Sequence, residues 1–313
     1  MTACPGLSLA ALAQWRSDGL RFDHRGQPIF VREAGTASDE DASLLCLHGF
    51  PTASFDWYPI WAGLNMSFGH LLAFDMLGYG FSAKPSGQDY PIAVQADIAE
   101  ALLRDRGVRR VHLLAHDVGD TVAQELLARD AARRAAGDAS LEIASCVLLN
   151  GGLFPETHRA SRAQKLLLSM LGPLVAAVMT EQRFMPSFAL VFGPQTKPSA
   201  EESKVFWSLL AHDNGHRKLH WLIRYILERR ANRDRWVGAL QTTTVALHLI
   251  DGALDPISGA HMVERYKQLI PNPDVSLLSG IGHYPQTEAP EVVLDAFLRF
   301  HARLPPRNPG PAR

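Results

Sequence analysis

Residues 111–127, V-H-L-L-A-H-D-V-G-D-T-V-A-Q-E-L-L, run from an apolar strand signal through a small-x-Asp-x-small turn into a helix. Such a turn lifts one side chain, that of Asp117, above the end of a sheet, and Ala115 and Gly119 keep its flanks small. A carboxylate with a reference pKa of about 3.9 is ionised at neutral pH and attacks without help from a base. Attack on an ester carbonyl would give a reactive anhydride, whereas attack on an sp3 carbon with a strained or good leaving group gives a stable ester. The implied electrophile is an epoxide or haloalkane carbon. A base is then needed only to activate the water that hydrolyses the ester. The plainer reading makes Asp117 a cap for the helix that begins near Val118.

The other reactive groups follow in the order nucleophile, acid, histidine. The run Val245 to Ile250 ends in D-G-A-L-D-P, which puts Asp255 in a loop just past a strand's carboxyl end. Asp251 competes for the same role, but Pro256 favours an extended turn that projects Asp255. After the run Val275 to Leu278, S-G-I-G-H-Y-P presents His283 on a glycine-flanked loop as the natural base. The plain alternative for His283 is a solvated loop histidine. Leu44 to Leu47 leads into H-G-F-P, and the loop there and the residue after the nucleophile would supply two oxyanion amides, those of Phe50 and Val118. Pro51 fixes that loop and is a candidate for a cis bond.

These groups need a scaffold, and strand signals alternating with helix signals predict an α/β fold with a mostly parallel sheet. The strands fall at Leu20–Phe22, Ile29–Arg32, Leu44–Leu47, His70–Phe74, Val111–Leu114, Ile143–Leu149, Val245–Ile250 and Val275–Leu278. No strand run of that kind occurs from Gly151 to Val237, where the pattern is helical over Gln164–Leu171, Glu201–Ala211 and Leu219–Ala231. The expected organisation is a core of residues 1–150 and 238–313 with a helical cap at 151–237. The Pro/Arg-rich tail from Pro305 reads as disordered.

With 313 residues, 47% hydrophobic, the chain can bury a large core, and a net charge of −1 leaves no basic footprint for nucleic acid. Cys4, Cys46 and Cys146 are scattered and read as thiols in a reducing compartment. No signal-peptide pattern or long uninterrupted apolar segment stands out, so the expected location is cytoplasmic, without a transmembrane span. No cofactor or metal is implied, the expected partner is a small lipophilic substrate, and the oligomeric state is not legible.

The blocks H-G-F-P-T-A-S-F-D-W (48–57), H-D-V-G-D-T-V-A-Q-E-L-L (116–127), N-G-G-L-F-P-E-T-H-R (150–159), V-F-G-P (191–194) and R-W-V-G-A-L (235–240) resemble the α/β-hydrolases of the epoxide hydrolase and haloalkane dehalogenase type. They are most similar to one vertebrate subgroup of that family, over a stretch from about Leu20 to Phe300. The resemblance implies a capped α/β-hydrolase core and a triad of Asp117, Asp255 and His283. It supplies no substrate. Epoxide hydrolases of the family meet the leaving oxygen with two cap tyrosines. This interval has only Tyr225, at the position of the second, while His158, Arg162 and Gln164 occupy the region of the first, with His158 the substitute weighed. The plain reading of Tyr225 is a packed helix tyrosine.

Haloalkane dehalogenases of the family carry an indole directly after the nucleophile, where this chain has Val118. That counts against dehalogenation without excluding it, because Trp221 would share a helix face with Tyr225 and could hold a halide. Fluoroacetate-type dehalogenases carry arginines just after the nucleophile; Asp120 stands in that region and is expected to repel an anionic substrate. An alternative of another class is a retired hydrolase used as a binding scaffold.

Several further features take plain readings. Asp120 and Glu125 complement the amino end of their helix or sit in solvent. G-Y-G-F-S at 78–82 lacks the rest of a dinucleotide loop, and His212, His216 and His220 flank a turn at Asn214-Gly215 rather than a metal. The apolar run Leu166 to Met179, broken by Gly172-Pro173, reads as buried cap core, with a lining for lipophilic substrates or a patch for peripheral membrane or partner contact as the functional readings.

Overall fold

The computed structural model describes residues 4–38 and 42–305; the remainder of the tail, 306–313, lies outside the described residues. Eight strands, β1 (Leu20–His24), β2 (Gln27–Gly35), β3 (Ser43–Leu47), β4 (His70–Phe74), β5 (Arg110–His116), β6 (Glu142–Leu149), β7 (Ala246–Gly252) and β8 (Val275–Leu278), form one sheet in the order β1-β2-β4-β3-β5-β6-β7-β8. The pairs β1/β2 and β2/β4 are antiparallel and the other five are parallel. Apolar runs suit the central strands because helices cover both sheet faces. Leu45, Leu47, Leu113 and Leu148 enter one core cluster, while Leu44, Cys46, Leu114 and Leu149 enter the other, as the two-residue period of a strand requires. β1 is an exposed edge, and it turns into β2 through Arg25 and Gly26, both at positive φ.

Cys46 and Cys146 are buried free thiols inside these strands. No helix among the described residues is long and apolar enough to cross a membrane.

Between β6 and β7 the described residues are helical or irregular. The helix expected at Gln164–Leu171 runs Arg162–Leu167, because Ser161 and Gln164 close a capping box that sets its start. The expected Leu219–Ala231 helix is two, Leu219–Leu222 and Tyr225–Ala231. Arg224 N–H bonds to Trp221 carbonyl and Ile226 N–H to Ile223 carbonyl, i to i+3 contacts that tighten the chain and break the helical repeat. Trp221 and Tyr225 therefore do not share a continuous helix face. The turn after the Ala200–Ala211 helix passes through Asp213 and Asn214, both at positive φ. The helix Arg233–Thr242 runs through the expected cap boundary at 237 without interruption.

That last helix is tied to the helix Val118–Ala135 by Glu125, which accepts from Arg235 Nε at 2.7 Å, Trp236 Nε1 at 2.8 Å and Arg129 Nε at 2.9 Å. Glu125 is thus neither a helix-dipole partner nor a solvated side chain. It is a buried anchor, held below the usual carboxylate range because these donors outweigh its desolvation.

Candidate active site at the strand tips

β5 ends at His116, and Asp117 takes φ 47° and ψ −106°, a conformation that an L residue adopts only under constraint. The constraint comes from close packing on the β3 loop. A Cβ on Gly119 would stand 2.3 Å from the carbonyl oxygen of Leu47, and one on Gly49 would stand 2.4 Å from His116 Nδ1, so both positions need glycine. Asp117 makes no side-chain capping bond to its helix, which removes the plain reading of its carboxylate.

Instead the carboxylate faces three partners. The Phe50 amide donates to Oδ2 at 3.1 Å, Arg229 Nη2 approaches Oδ1 at 3.4 Å, and His283 Nε2 lies 3.8 Å from Oδ2. Val118 opens the helix immediately after Asp117. The Phe50–Pro51 bond is cis. Tyr284 Oη donates to the Phe50 carbonyl at 2.9 Å and so ties down the loop that carries the amide. Burial alone would raise the Asp117 pKa. The hydrogen bond and charge of His283 and the charge of Arg229 outweigh it and hold this carboxyl well below the usual range.

His283 Nδ1 meets Asp255 Oδ2 at 2.6 Å, which fixes the ring and leaves Nε2 toward Asp117. Asp255 in turn accepts from Ser258 Oγ at 2.8 Å, Asn150 Nδ2 at 3.0 Å and the Ile257 amide at 2.7 Å. Asn150, at the tip of β6 with φ 45°, also accepts from the Gly252 amide at 2.8 Å, linking β6 to β7. Burial would lower the His283 pKa, but the charges of Asp255 and Asp117 prevail and raise it well above the usual value. Asp251 makes no hydrogen bond through either oxygen, and burial raises its pKa well above the carboxylate range.

Asp120 corrects the expectation built on it. It is fully buried, its Oδ1 accepts from the Leu149 amide at 3.3 Å, and burial followed by the nearby Asp117 charge raises its pKa well above normal. Buried beneath the elbow and bonded to the Leu149 amide, Asp120 neither faces the cavity nor sits in solvent, and burial disfavours the charge by which it would repel an anion.

A cavity of about 310 Å³ opens onto Asp117 and His283. Its core side is Phe50, Pro51, Ile257 and Tyr284, and its helical side includes Gln164, Leu167, Val175, Met179, Phe184 and Phe188. The lining is largely apolar. Gln164 brings an amide to this wall while its Oε1 serves the capping box.

The structure does not put Tyr225, His158 or Trp221 on the cavity wall. Tyr225 is buried with its ring 5.8 Å from that of Phe50, and its hydroxyl has no hydrogen-bond partner. Burial, then the Asp117 charge, raises its pKa well above normal. His158 has both ring nitrogens buried and unpartnered; burial, then the Arg229 charge, lowers its pKa to about 4. Trp221 lies beneath the Arg224 guanidinium, 5.1 Å from ring centroid to Cζ.

Sequence reasoning missed Arg229, Tyr284 and Asn150. Arg229 is 2% exposed; Nη2 donates to the Asp117 carbonyl at 2.8 Å, Nε to Thr121 Oγ1 at 2.7 Å, and the guanidinium stands 4.6 Å over the Tyr225 ring. In R-Y-I-L-E-R-R it is indistinguishable from the exposed Arg224 and Arg230. Helical phase offered a faint signal, since residue 229 falls four after the buried Tyr225.

A family model for the alpha/beta hydrolase fold matches residues 42–290. The mesoderm-specific transcript homolog protein of Bos taurus is 43% identical over 296 residues, covering 93% of this chain and 88% of its own. The Homo sapiens homolog is 42% identical with the same coverage. The crystal structure of the haloalkane dehalogenase DatA from Agrobacterium tumefaciens superposes with a TM-score of 0.74 at 21% identity, covering 92% of this chain and 97% of that one. At that identity the likeness speaks for the fold. With its sheet order, strand-tip site and family match taken together, the chain belongs to the α/β-hydrolase family.

Proposed function

We propose that this hydrolase opens an epoxide, or a related sp3-carbon electrophile, through a covalent alkyl ester on Asp117. One observation carries the reading: a carboxylate held ionised stands 3.8 Å from an imidazole whose other nitrogen is bound to a second carboxylate. The electrophilic carbon accepts an electron pair from Asp117, its bond to the leaving atom breaks, and the product is a neutral ester. Asp117 loses its charge in that step. One of the two charges that raise the His283 pKa is then gone, and the imidazole moves toward its base form when a base is required. Neutral His283 takes a proton from water, the water oxygen attacks the ester carbonyl carbon, and the amides of Phe50 and Val118 hold the oxyanion. Collapse releases the product alcohol and restores the carboxylate.

An epoxide oxygen also needs a proton or strong donor as it leaves. Tyr225 stands off the cavity wall and is assigned this role on its unpartnered hydroxyl, which lies within the field of Asp117. The helices between β6 and β7 act as a cap that closes the apolar cavity. A second reading, haloalkane dehalogenation, is favoured by the position of Gln164 on the cavity wall, because a halide leaves without a proton and an amide N–H can hold it. The ionised, fully partnered Asp117 and the bound Asp255–His283 pair speak against a retired scaffold.

A single turnover in heavy-oxygen water tests the mechanism, with styrene oxide and a bromoalkane as probes. The label is expected in the peptide containing Asp117, because water attacks the ester carbonyl and the first product oxygen comes from the enzyme. Label in the first-turnover product instead means direct attack by water, and the covalent reading falls. Diol release against bromide release then separates the two substrate classes.

A further inference from the structure

Thirteen large hydrophobic side chains are exposed among the described residues, and five of them, Leu166, Met170, Leu171, Leu174 and Val178, fall in one short stretch. Scattered single exposures are ordinary on protein surfaces, but a contiguous patch signals contact with something apolar. Met170 is 99% exposed, Leu174 62% and Leu171 58%. The stretch comprises the helices Arg162–Leu167 and Gly172–Ala177 with the corner between them. A Cβ on Gly172 would stand 2.1 Å from the Leu167 carbonyl oxygen, so the corner is tight and presents Met170 and Leu171 at its tip.

Two properties define the partner. From Arg159 to Arg183 the chain carries four exposed cations, Arg159, Arg162, Lys165 and Arg183, against one carboxylate, Glu181. Leu166 and Val178 are exposed on the outside and also line the cavity above Asp117, and the exposed Arg183 stands on the same wall. The patch is therefore the outer end of the cavity's apolar lining, rimmed by positive charge.

We infer that these two helices dock on an anionic lipid surface, with Met170, Leu171 and Leu174 entering the acyl boundary and Arg162 and Lys165 meeting the headgroups. A second copy of the chain fits less well, because a two-fold contact through the patch brings like cations together. Passage of a membrane-dissolved substrate along Leu166 and Val178 into the cavity rests on the proposed reaction; the docking itself does not.

Flotation of the whole protein with phosphatidylcholine vesicles, with and without phosphatidylglycerol, at low and high salt, tests this. Binding to the anionic vesicles at low salt is expected, weakening by roughly tenfold or more in Met170→Asp/Leu174→Asp and in Arg162→Glu/Lys165→Glu. Both variants should keep the circular dichroism and the turnover of a water-soluble substrate. The Asp117→Asn protein, with its nucleophile removed, should float like the parent, so failure of the reaction reading leaves the docking result intact. Absence of flotation with either vesicle, or unchanged flotation of both double variants, overturns the proposal. So does a dimer in light scattering that Met170→Asp/Leu174→Asp dissolves, because the patch then belongs to a second copy.

Discussion

The two sides of the cavity are built by different rules. On the core side, Asp117, Asp255 and His283 stand on or just beyond strand tips, and hydrogen bonds fix each of them: the Phe50 amide on the Asp117 carboxylate and Arg229 on its carbonyl, Ser258, Asn150 and the Ile257 amide on Asp255, and Asp255 on His283. On the helical side, the wall is made of short helices, two of them only six residues long, with apolar side chains shared between cavity and solvent. A reacting group gains from being held within a fraction of an ångström, which strand ends and a strained elbow provide. A wall that admits a lipophilic molecule gains from short elements with few cross-links. Arg229 and Tyr225 are the exceptions, because they lie in the helical segment and yet touch or face Asp117.

The largest expected effect is on the core side. His283→Gln removes the strongest of the influences that lower the Asp117 pKa but leaves Arg229 and the Phe50 amide beside the carboxylate, so alkylation should persist while hydrolysis of the ester slows by about 10⁴, the upper range for loss of a general base. Intact-protein mass spectrometry after exposure to styrene oxide should show a stable adduct of one substrate, mapped to the Asp117 peptide. A variant that binds the probe but forms no adduct would separate His283 from the second step and break the division of labour.

Next in size is Tyr225→Phe, which asks whether the helical side contributes to chemistry or only to shape. Loss of the hydroxyl should slow alkylation by styrene oxide by about 10²–10³, within the range for general acid loss, and leave alkylation by a bromoalkane within a few-fold. Equal small effects on both probes would reduce Tyr225 to its packing against Phe50 and Arg229. The folding control is favourable, because the ring and its packing against Phe50 and Arg229 are kept and only one hydroxyl is lost.

The same division explains what the sequence could disclose. The central strands were legible because β3, β4 and β6 are apolar runs whose alternate residues serve two cores. The strained turn at the candidate site was legible because packing against Leu47 requires glycine at 119, two residues after Asp117, and that leaves a local signature. Local patterns also found the helical character of the insertion. They did not find the break at Ile223 and Arg224, which depends on i to i+3 pairing rather than on a proline or glycine. Nor could they disclose that Asp120 is buried or that Arg229, among three neighbouring arginines, is the one turned inward. Burial of a charged side chain is decided by partners distant in sequence; the bonds from Arg229 to Asp117 and Thr121 span more than a hundred residues.

The smallest of the three effects tests that long-range contact. Arg229→Met removes the bond to the Asp117 carbonyl and the charge near Oδ1 while keeping an apolar stem over Tyr225. A charge-assisted bond is worth about 1.5–3 kcal/mol, so alkylation should slow by roughly 10–100-fold if that stabilisation acts through the orientation and ionisation of Asp117. The pH profile distinguishes this from simple loosening. Asp117 has a depressed pKa, so its ionised form persists as pH falls, and Arg229 is one cause of the depression. Without Arg229 the Asp117 pKa rises, and the acid limb of the alkylation rate should move to higher pH. Arg229→Lys should recover much of the limb's position, since it restores charge, but less of the rate, since one ammonium cannot serve the Asp117 carbonyl and Thr121 as the planar fork does. An unmoved acid limb in Arg229→Met, with the protein folded and the rate reduced, would show that Arg229 holds the helical side against the core without tuning the carboxylate, and the two sides of the cavity would then be chemically independent.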